Sequence, residues 1–215
     1  MAIVNYTFTN LIPDPSFENN QWNNGVYSTT EKLYGERSLY FQTGTTVVGE
    51  IAIPYPVLGH KYYGRRYIKT SGDNQPPDCR FEMYGGDGEG LNWVFAWNRG
   101  NYPNWSFDSA IQEVTVINYE STRTTYMRCF NVGTTADTWV DGVMLIDLTA
   151  ACGAGKEPSK EWCDENLPFF INTYSASIDM GDTIFLGEDY LTGMRLGEFT
   201  IEECYLGSTK IFPVE

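Results

Sequence analysis

The stretch KYYGRRYIKTSGDNQPPDCRFEMYGG, residues 61–86, indicates the fold most directly. It contains two runs of aromatic, apolar and alternating residues, KYYGRRYIK (61–69) and CRFEMYG (79–85), which are typical of β-strands. Between them, TSGDNQPPD (70–78) is rich in Gly, Pro, Asp and Asn, the residues that interrupt strands and form turns. The stretch therefore predicts two strands joined by a loop.

The same alternation of strand runs and breakers extends over residues 1–148. Breakers such as QTGTT (42–46), GGDGEG (85–90) and NRGNYPN (98–104) separate the runs. Eight runs are predicted as strands: SLYFQ (38–42), VVGEIAI (47–53), KYYGRRYIK (61–69), CRFEMYG (79–85), LNWVFAW (91–97), IQEVTVINY (111–119), TTYMRCFNV (124–132) and WVDGVMLIDL (139–148). Short strands at this spacing, without long helical periodicity, predict an all-β, antiparallel two-sheet sandwich.

Residues 149–181 predict a turn, a short helix and a linker. Gly-Ala-Gly at 153–155 is a flexible turn, and Pro158 suits the first turn of a helix. PSKEWCDENL (158–167) can form roughly two to three helical turns, which Pro168 stops. The following NTYSASIDMGDT (172–183) resembles a linker.

Residues 182–215 repeat one short phrase. Leu-Gly pairs begin at Leu186, Leu196 and Leu206, and each glycine is followed four residues later by an aliphatic residue: Leu191, Ile201 and Ile211. One copy is too small to bury an apolar face, so such repeats become stable by stacking on neighbours in the same chain or in another chain. We predict a small β-repeat or meander. Its predicted assembly residues are Leu186, Leu196, Ile201, Leu206 and Ile211.

Charge and composition exclude several partners. The chain has 215 residues with a formal net charge of −14 and a sequence pI near 4.4. A surface this acidic repels phosphate backbones and anionic lipid, so we expect no nucleic-acid binding. No apolar run approaches the about 18 residues of a membrane span, so we expect no membrane insertion. Aromatic residues reach 15%, which suits strands and recognition surfaces.

The cysteines and the first residues bear on where the protein is made. Five cysteines are widely spread without a CxxC pair, which favours reduced, mostly buried thiols over a disulfide scaffold or a zinc site. The start, MAIVNYTFTN, lacks a basic region followed by a long apolar core, so we expect no secretory signal. Synthesis in a cytoplasm follows as an expectation, with lysis as one route of release.

An aromatic cluster at 91–107 suggests a glycan site. Sugar rings stack on exposed aromatic faces while nearby Asn and Arg side chains bind hydroxyls. Trp93, Phe95 and Trp97 alternate and so share one face of a strand, which is usually the core. Tyr102 and Trp105 lie among Pro and Asn on a predicted loop and are the better ligand candidates. The predicted glycan-binding residues are Tyr102, Trp105 and Trp97.

Catalysis finds little support in the sequence. His60 is the single histidine, and no Ser or Cys motif accompanies it. GAGKEPS (153–159) is not a phosphate loop, because the spacing before Lys156 is too short and Glu157 follows it. We expect a protein without enzymatic activity and with no catalytic residues.

Three motifs in order carry a first resemblance: NLIPDPSFENNQW (10–22), YGERSLYF (34–41) and TWVDGVMLID (138–147). They resemble signature strands of carbohydrate-binding-module-like, galactose-binding-like jelly rolls. This resemblance implies a jelly-roll sandwich, and a structural Ca²⁺ held by Glu18 and Asp141 with backbone carbonyls. Gly142 stands where the family often has a second Asp.

A second resemblance lies in DGVMLIDLTAACGAGKEPSKEWCDENLPFF (141–170) and in the closing YLGSTKIFPV (205–214). Both are similar to segments of virion structural proteins of tailed bacteriophages. The resemblance implies a virion protein made in the host bacterial cytoplasm, in a tail, baseplate, or head fibre or decoration. Its implied partners are other virion proteins and copies of itself, for which a trimer is frequent.

Two functions remain open from the sequence. The first is a non-enzymatic structural component of a tailed-phage particle that can also contribute to adhesion to a host-cell glycan. The alternative is a carbohydrate-binding module that acts as an adhesin or as the ancillary domain of a glycosidase. The repeated phrases of residues 182–215 favour the first, because a free-standing binding module does not need them. The predicted organisation is a jelly roll (1–148), a turn, helix and linker (149–181), and Leu-Gly β-repeats for assembly (182–215).

Overall fold

The computed structural model forms two units, residues 4–178 and residues 1–3 with 179–215, and each is described by itself. The residues that it describes are 3–44, 47–71, 78–85, 92–98, 102–115, 124–132, 136–179, 194–196, 199–201, 204–206 and 209–212.

Most described residues before residue 180 lie in strands or in the turns between them. The strands are β1 (Ile3–Thr9), β2 (Tyr27–Ser28), β3 (Ser38–Phe41), β4 (Val47–Ile53), β5 (Lys61–Thr70), β6 (Asp78–Gly85), β7 (Asn92–Asn98), β8 (Ser106–Glu113), β9 (Thr125–Val132), β10 (Thr138–Asp147) and β11 (Thr173–Asp179). The all-β prediction is confirmed.

Two antiparallel sheets form the sandwich. One has five strands in the order β2-β3-β10-β5-β8, and the other has four in the order β4-β9-β6-β7. β1 and β11 form a separate two-stranded sheet. Side chains from both large sheets meet in one apolar core, which includes Leu39, Ile68, Phe81, Phe95 and Met127. This architecture is the predicted two-sheet jelly-roll sandwich.

A short helical segment covers part of the outer surface of the five-stranded sheet. Its helices are α1 (Leu148–Cys152) and α2 (Lys160–Asn166). The Tyr63 hydroxyl donates to Asp164 Oδ1 at 2.8 Å, and the Arg65 guanidinium donates to the Leu167 carbonyl at 2.8 Å. These bonds attach α2 to β5, so residues 149–178 belong to the same unit as the sandwich.

The start of α2 differs from the prediction. Ser159 is the N-cap, and its hydroxyl accepts from the Trp162 N–H at 3.2 Å. Pro158 therefore precedes the cap and does not occupy the first turn. A serine side chain satisfies an amide that the helix itself leaves unpaired, which a proline cannot do.

The segment that resembles a linker contains a strand, β11. Thr7 and Ser175 are within 3.4 Å through their hydroxyls, and the Ser177 hydroxyl donates to Asn5 at 2.6 Å. Ile178 is buried and Tyr174 stacks on Phe170, with centroids 5.6 Å apart. The short polar side chains looked like a linker in sequence, but pairing with β1 makes them a strand.

Strand β8 lies earlier in the sequence than the predicted run at 111–119. Its pairing with β5 places Ser106 opposite Ile68 and Glu113 opposite Lys61. Val114 is fully buried although it follows the strand, and it exchanges backbone hydrogen bonds with residues 59 and 60. Val114 therefore contributes to the apolar signal of the predicted run from a position after the strand, and residues 116–119 of that run lie outside the described residues.

Four cysteines have described side chains: Cys79, Cys129, Cys152 and Cys163. All four are buried and none of them is in a disulfide, in agreement with reduced thiols. Burial raises the pKa of each of the last three thiols, to about 11 for Cys152. No helix among the described residues is long and apolar enough to cross a membrane.

The last four strands are short: β12 (Met194–Leu196), β13 (Phe199–Ile201), β14 (Cys204–Leu206) and β15 (Thr209–Phe212). β12 pairs with β13 and β14 with β15, so the predicted β-repeat takes the form of two antiparallel hairpins. Four of the predicted assembly residues, Leu196, Ile201, Leu206 and Ile211, lie in these strands. Their side chains and Leu186 lie outside the described residues, so the assembly role stays a prediction.

Candidate functional site

The outer surface of the four-stranded sheet carries polar and aromatic side chains. Phe81 and Met83 of β6 are fully buried in the core, so the alternate residues Glu82 and Tyr84 point away from it. We call the following side chains the four-stranded face: Glu50, Glu82, Tyr84, Val94, Tyr126 and Arg128.

Strand register makes these side chains direct neighbours. Glu82 and Arg128 lie opposite each other on β6 and β9, and Glu50 of β4 lies opposite Arg128 on its other side. One step along, Tyr84 lies opposite Tyr126. Directly opposed residues in an antiparallel pair have Cβ atoms about 5 Å apart. The Glu82–Arg128 ion pair therefore lies next to the Tyr84–Tyr126 pair.

Glu82 is the unusual group of this surface. Although it points away from the core, its side chain is only 1% exposed. Arg128 Nε donates to Glu82 Oε1, and the Arg128 guanidinium lies 3.7 Å from the centroid of the Tyr84 ring. Among the described residues, Glu82 Oε2 has no hydrogen-bond partner. A buried carboxylate oxygen without a donor is rare and costly. A bound molecule can donate to this oxygen only after the side chains that cover it move aside.

The two tyrosines and Arg128 remain partly accessible. Tyr84 and Tyr126 are half-exposed, and the Arg128 side chain is 18% exposed. Aromatic faces offer an apolar contact, and guanidinium and carboxylate groups donate to and accept from hydroxyls. A ligand with one apolar face and several hydroxyl groups matches this combination.

The predicted aromatic candidates have different environments. Trp93 is 8% exposed and belongs to the core, as the alternation indicated. Trp97 lies opposite Arg80 in the β6–β7 ladder, and its side chain lies outside the described residues. Tyr102 packs against the core cluster, and burial raises the pKa of its hydroxyl. Trp105 is half-exposed and immediately precedes β8.

Tyr102 is also held by its backbone. Its N–H donates to Thr70 Oγ1 at 2.8 Å, and its carbonyl accepts from the Thr70 N–H at 2.7 Å. These bonds place Tyr102 beside the last residue of β5, which is a strand of the five-stranded sheet. The four-stranded face thus consists of residues that the sequence analysis did not single out. The signal for them was the alternation in CRFEMYG and TTYMRCFNV, where core residues alternate with Glu, Tyr and Arg.

The two predicted calcium ligands lie against one turn, at residues 33–37. Glu18 Oε1 accepts from the N–H groups of Glu36 at 2.7 Å and Arg37 at 3.0 Å. Gly35 has φ of 68°, and a Cβ there would lie 2.4 Å from Glu18 Oε1. Only glycine allows the turn to approach this carboxylate so closely.

Asp141 holds the same turn from the β10 side. Its Oδ2 accepts from the N–H groups of Leu33 at 2.8 Å and Tyr34 at 2.9 Å, and its Oδ1 accepts from Gly142 at 2.7 Å. Burial raises the pKa of Asp141 to about 6, and the charge of Glu18 adds to this effect. Glu18 and Asp141, which the resemblance pairs as calcium ligands, therefore bind the same turn in the fold.

Calcium binding at these carboxylates stays a prediction. Their oxygens already accept peptide N–H groups, whereas calcium needs about six to eight oxygen ligands. No group of three or more His, Cys, Asp or Glu side chains suited to a metal occurs in the part of the chain that the structure describes. In the observed contacts, Glu18 and Asp141 stabilise the turn by accepting hydrogen bonds from its backbone N–H groups.

His60 has a structural partner. Its Nδ1 lies 2.8 Å from Asp147 Oδ2, and Asp147 Oδ1 accepts from the Ala150 N–H at 2.9 Å as the N-cap of α1. The pair joins the start of β5 to the end of β10.

No family model matches the chain, and no curated protein matches it. A solved structure described as "Family 16 Carbohydrate Binding Module-2" is similar over 63% of this chain and 99% of its own, with 13% identity and a TM-score of 0.49. A C-terminal family 22 carbohydrate-binding module of Clostridium thermocellum Xyn10B is similar over 67% of this chain and 94% of its own, with 16% identity and a TM-score of 0.48.

The enzymatically active domain of tailspike protein 4 of bacteriophage CBA120 is similar over 63% of this chain and 21% of its own. The identity is 13% and the TM-score is 0.44. At such identities the likeness concerns the path of the chain and does not show which side chains bind.

Proposed function

We propose that this chain is a non-catalytic glycan-binding module and that the four-stranded face is its binding surface. The observation that carries the proposal is Glu82, an outward-pointing carboxylate that is buried and paired with Arg128 through one oxygen, while its other oxygen has no partner in the described part of the chain. A sheet surface that served only to face water would gain nothing from burying this group. A bound hydroxyl would satisfy Oε2 once the side chains that cover this oxygen move aside.

The chemistry of the face defines the ligand class. Tyr84 and Tyr126 present ring surface for the apolar face of a pyranose, while Glu82 and Arg128 bind its hydroxyls. The formal charge of −14 disfavours anionic polysaccharides, so the expected ligand is neutral. Four strands span about 14 Å across the sheet, enough for an extended oligosaccharide and not only for one ring.

Replacement of Tyr126 by alanine tests the surface. We expect affinity for neutral oligosaccharides to fall roughly tenfold or more, because truncating a central tyrosine of a binding surface commonly costs about 2 kcal/mol. The matched control is Tyr6→Ala, which removes the same side chain from the β1–β11 sheet. Both proteins are compared on an array of neutral oligosaccharides that includes xylohexaose and β-1,4-galactotriose, followed by calorimetric titration. Equal binding by the Tyr126 variant and the wild type would remove the four-stranded face as the site.

We also propose that the module is part of a tailed-phage particle. The support is the resemblance of residues 141–170 to virion proteins, together with the two hairpins β12–β13 and β14–β15. An isolated two-stranded hairpin is marginal in water, so such elements gain stability by packing on other surfaces. Copies of the same chain and neighbouring virion proteins are the proposed partners, and the particle is the proposed location.

Removal of residues 182–215 tests the assembly role. We expect the full chain to form a homo-oligomer and the shortened chain to be monomeric, because the repeats supply the contact between copies. Light scattering coupled to size-exclusion chromatography measures both masses. A full chain that stays monomeric at high concentration would contradict self-assembly, whereas glycan binding by the shortened chain would be unaffected.

A further inference from the structure

A second surface with recognition chemistry lies on the opposite side of the sandwich, at the edge of the five-stranded sheet. An open groove of about 550 Å³ is formed there. We call it the Trp139 groove and define it by Ser28, Thr30, Tyr40, Asp137 and Trp139, which all line it. Its volume falls within the roughly 300–1,000 Å³ of ordinary ligand sites.

Two aromatic side chains form one wall of the groove. Trp139 of β10 lies opposite Tyr40 of β3, and both point outward because Leu39 and Val140, which precede or follow them, are fully buried. The two ring centroids are 5.6 Å apart with an interplanar angle of 31°. Trp139 Nε1 is shielded from solvent and has no hydrogen-bond partner among the described residues. The part of the indole that meets solvent is therefore ring carbon.

Hydroxyls and a carboxylate complete the groove. Ser28 Oγ and Thr30 Oγ1 are 2.9 Å apart. Asp137 Oδ1 accepts from both the N–H and the hydroxyl of Thr43, each at 2.8 Å. The Thr43 N–H bond lowers the pKa of Asp137, which is consequently a carboxylate at neutral pH. The carboxylate in turn adds to the burial that raises the pKa of Tyr40.

This combination selects a ligand. The aromatic rings favour a ligand with an apolar face, and the two hydroxyls and the carboxylate favour a ligand with hydroxyl groups. The carboxylate also repels anionic ligands. A pyranose has both surfaces within one ring. One indole with one tyrosine beside it offers stacking surface for about one ring, which suits a terminal sugar better than the middle of a chain.

We propose that the Trp139 groove is a second binding site for a neutral terminal sugar. It shares no residue with the four-stranded face, so it stands whether or not that face binds glycans. The two sites lie on opposite sides of one sandwich, so a single chain with both would bind two glycan chains at once. Such bivalence raises avidity for a glycan-coated surface without any new contact.

The test uses the full chain and an array of neutral oligosaccharides with different terminal sugars, xylohexaose among them. Three variants are compared with the wild type: Trp139→Ala, Trp139→Phe, which keeps an aromatic ring, and Tyr126→Ala. We expect Trp139→Ala to lose at least roughly tenfold in affinity for a set of array members, and Trp139→Phe to retain most of it. Tyr126→Ala should keep binding that set.

A blocking variant covers the case in which Trp139→Ala fails to fold. Thr30→Arg places a long side chain at the groove while it leaves the aromatic wall in place, and it should remove the same set of signals. Unchanged binding by Trp139→Ala and Thr30→Arg on every array member would overturn the proposal that the Trp139 groove binds a sugar. A silent array with Tyr126→Ala would also overturn it, since one site would then account for all binding. If Trp139→Ala lost glycan binding and Tyr126→Ala lost none, the Trp139 groove would be supported as a site and the four-stranded face would be rejected.

Discussion

Glu82→Gln is expected to abolish glycan binding and to lower the free energy of unfolding by about 3 kcal/mol. Glutamine keeps the shape of the side chain but removes the charge that Arg128 neutralises and one of the two acceptor oxygens. The stability cost is large because Arg128 loses the buried carboxylate that it pairs with. Calorimetric titration with an array-selected neutral oligosaccharide measures the loss of binding, and urea unfolding measures the loss of stability.

A double variant separates the structural role from the binding role. Glu82→Leu with Arg128→Met replaces the pair by apolar residues, a change that is often neutral or stabilising in buried sites. We expect the double variant to recover most of the lost stability and none of the binding. Glu36→Gln is the matched surface control: Glu36 and Lys32 form an exposed pair that solvent screens, so stability should change little. Normal glycan binding by the double variant would show that the pair only supports the fold.

Gly64→Ala is expected to cost about 3 kcal/mol of stability or to prevent folding. Gly64 lies in the middle of β5, and a Cβ there would lie 2.3 Å from Phe95 Cγ of β7. Both residues are buried between the sheets, and the facing side chain is an aromatic ring in the core rather than a flexible surface group. This contact sets how closely the two sheets approach.

A double-mutant cycle with Phe95→Leu tests the stated cause. If the clash with Phe95 is the reason for the loss, the smaller leucine should relieve it, and the two changes together should cost at least about 1 kcal/mol less than the sum of the single changes. Urea unfolding of all four proteins supplies the cycle. Additive losses would show that Gly64 is required for another reason, such as its backbone conformation.

Local patterns in the sequence were sufficient for most strands and for the sandwich class. They were insufficient where another part of the chain decided the outcome. Thr173, Ser175 and Ser177 form a strand because β1 offers them a partner, and Val114 is buried after β8 has ended. Neither fact is visible in a window of neighbouring residues, because tertiary contacts override local propensity.

The candidate site depends even more on register. Glu82 and Arg128 are separated by 46 positions, and only the β6–β9 pairing shows that they are neighbours. The burial of an outward-pointing glutamate has no signature in the sequence. In the sequence Trp139 is visible only as part of a strand, because the proposed sugar site also needs Tyr40 of a neighbouring strand. By contrast, Glu18 and Asp141 could be paired in advance through a resemblance, since the motifs that contain them recur together.

The most direct measurement is the mapping of backbone amide shifts as the array-selected neutral oligosaccharide is titrated into the isotope-labelled protein. Binding to the four-stranded face predicts that shifts cluster on β6 and β9, at residues 82–84 and 126–128. The second site predicts a separate cluster near residues 28–30 and 137–140. Shifts that leave β6 and β9 unchanged while the sugar binds elsewhere would contradict the proposed surface.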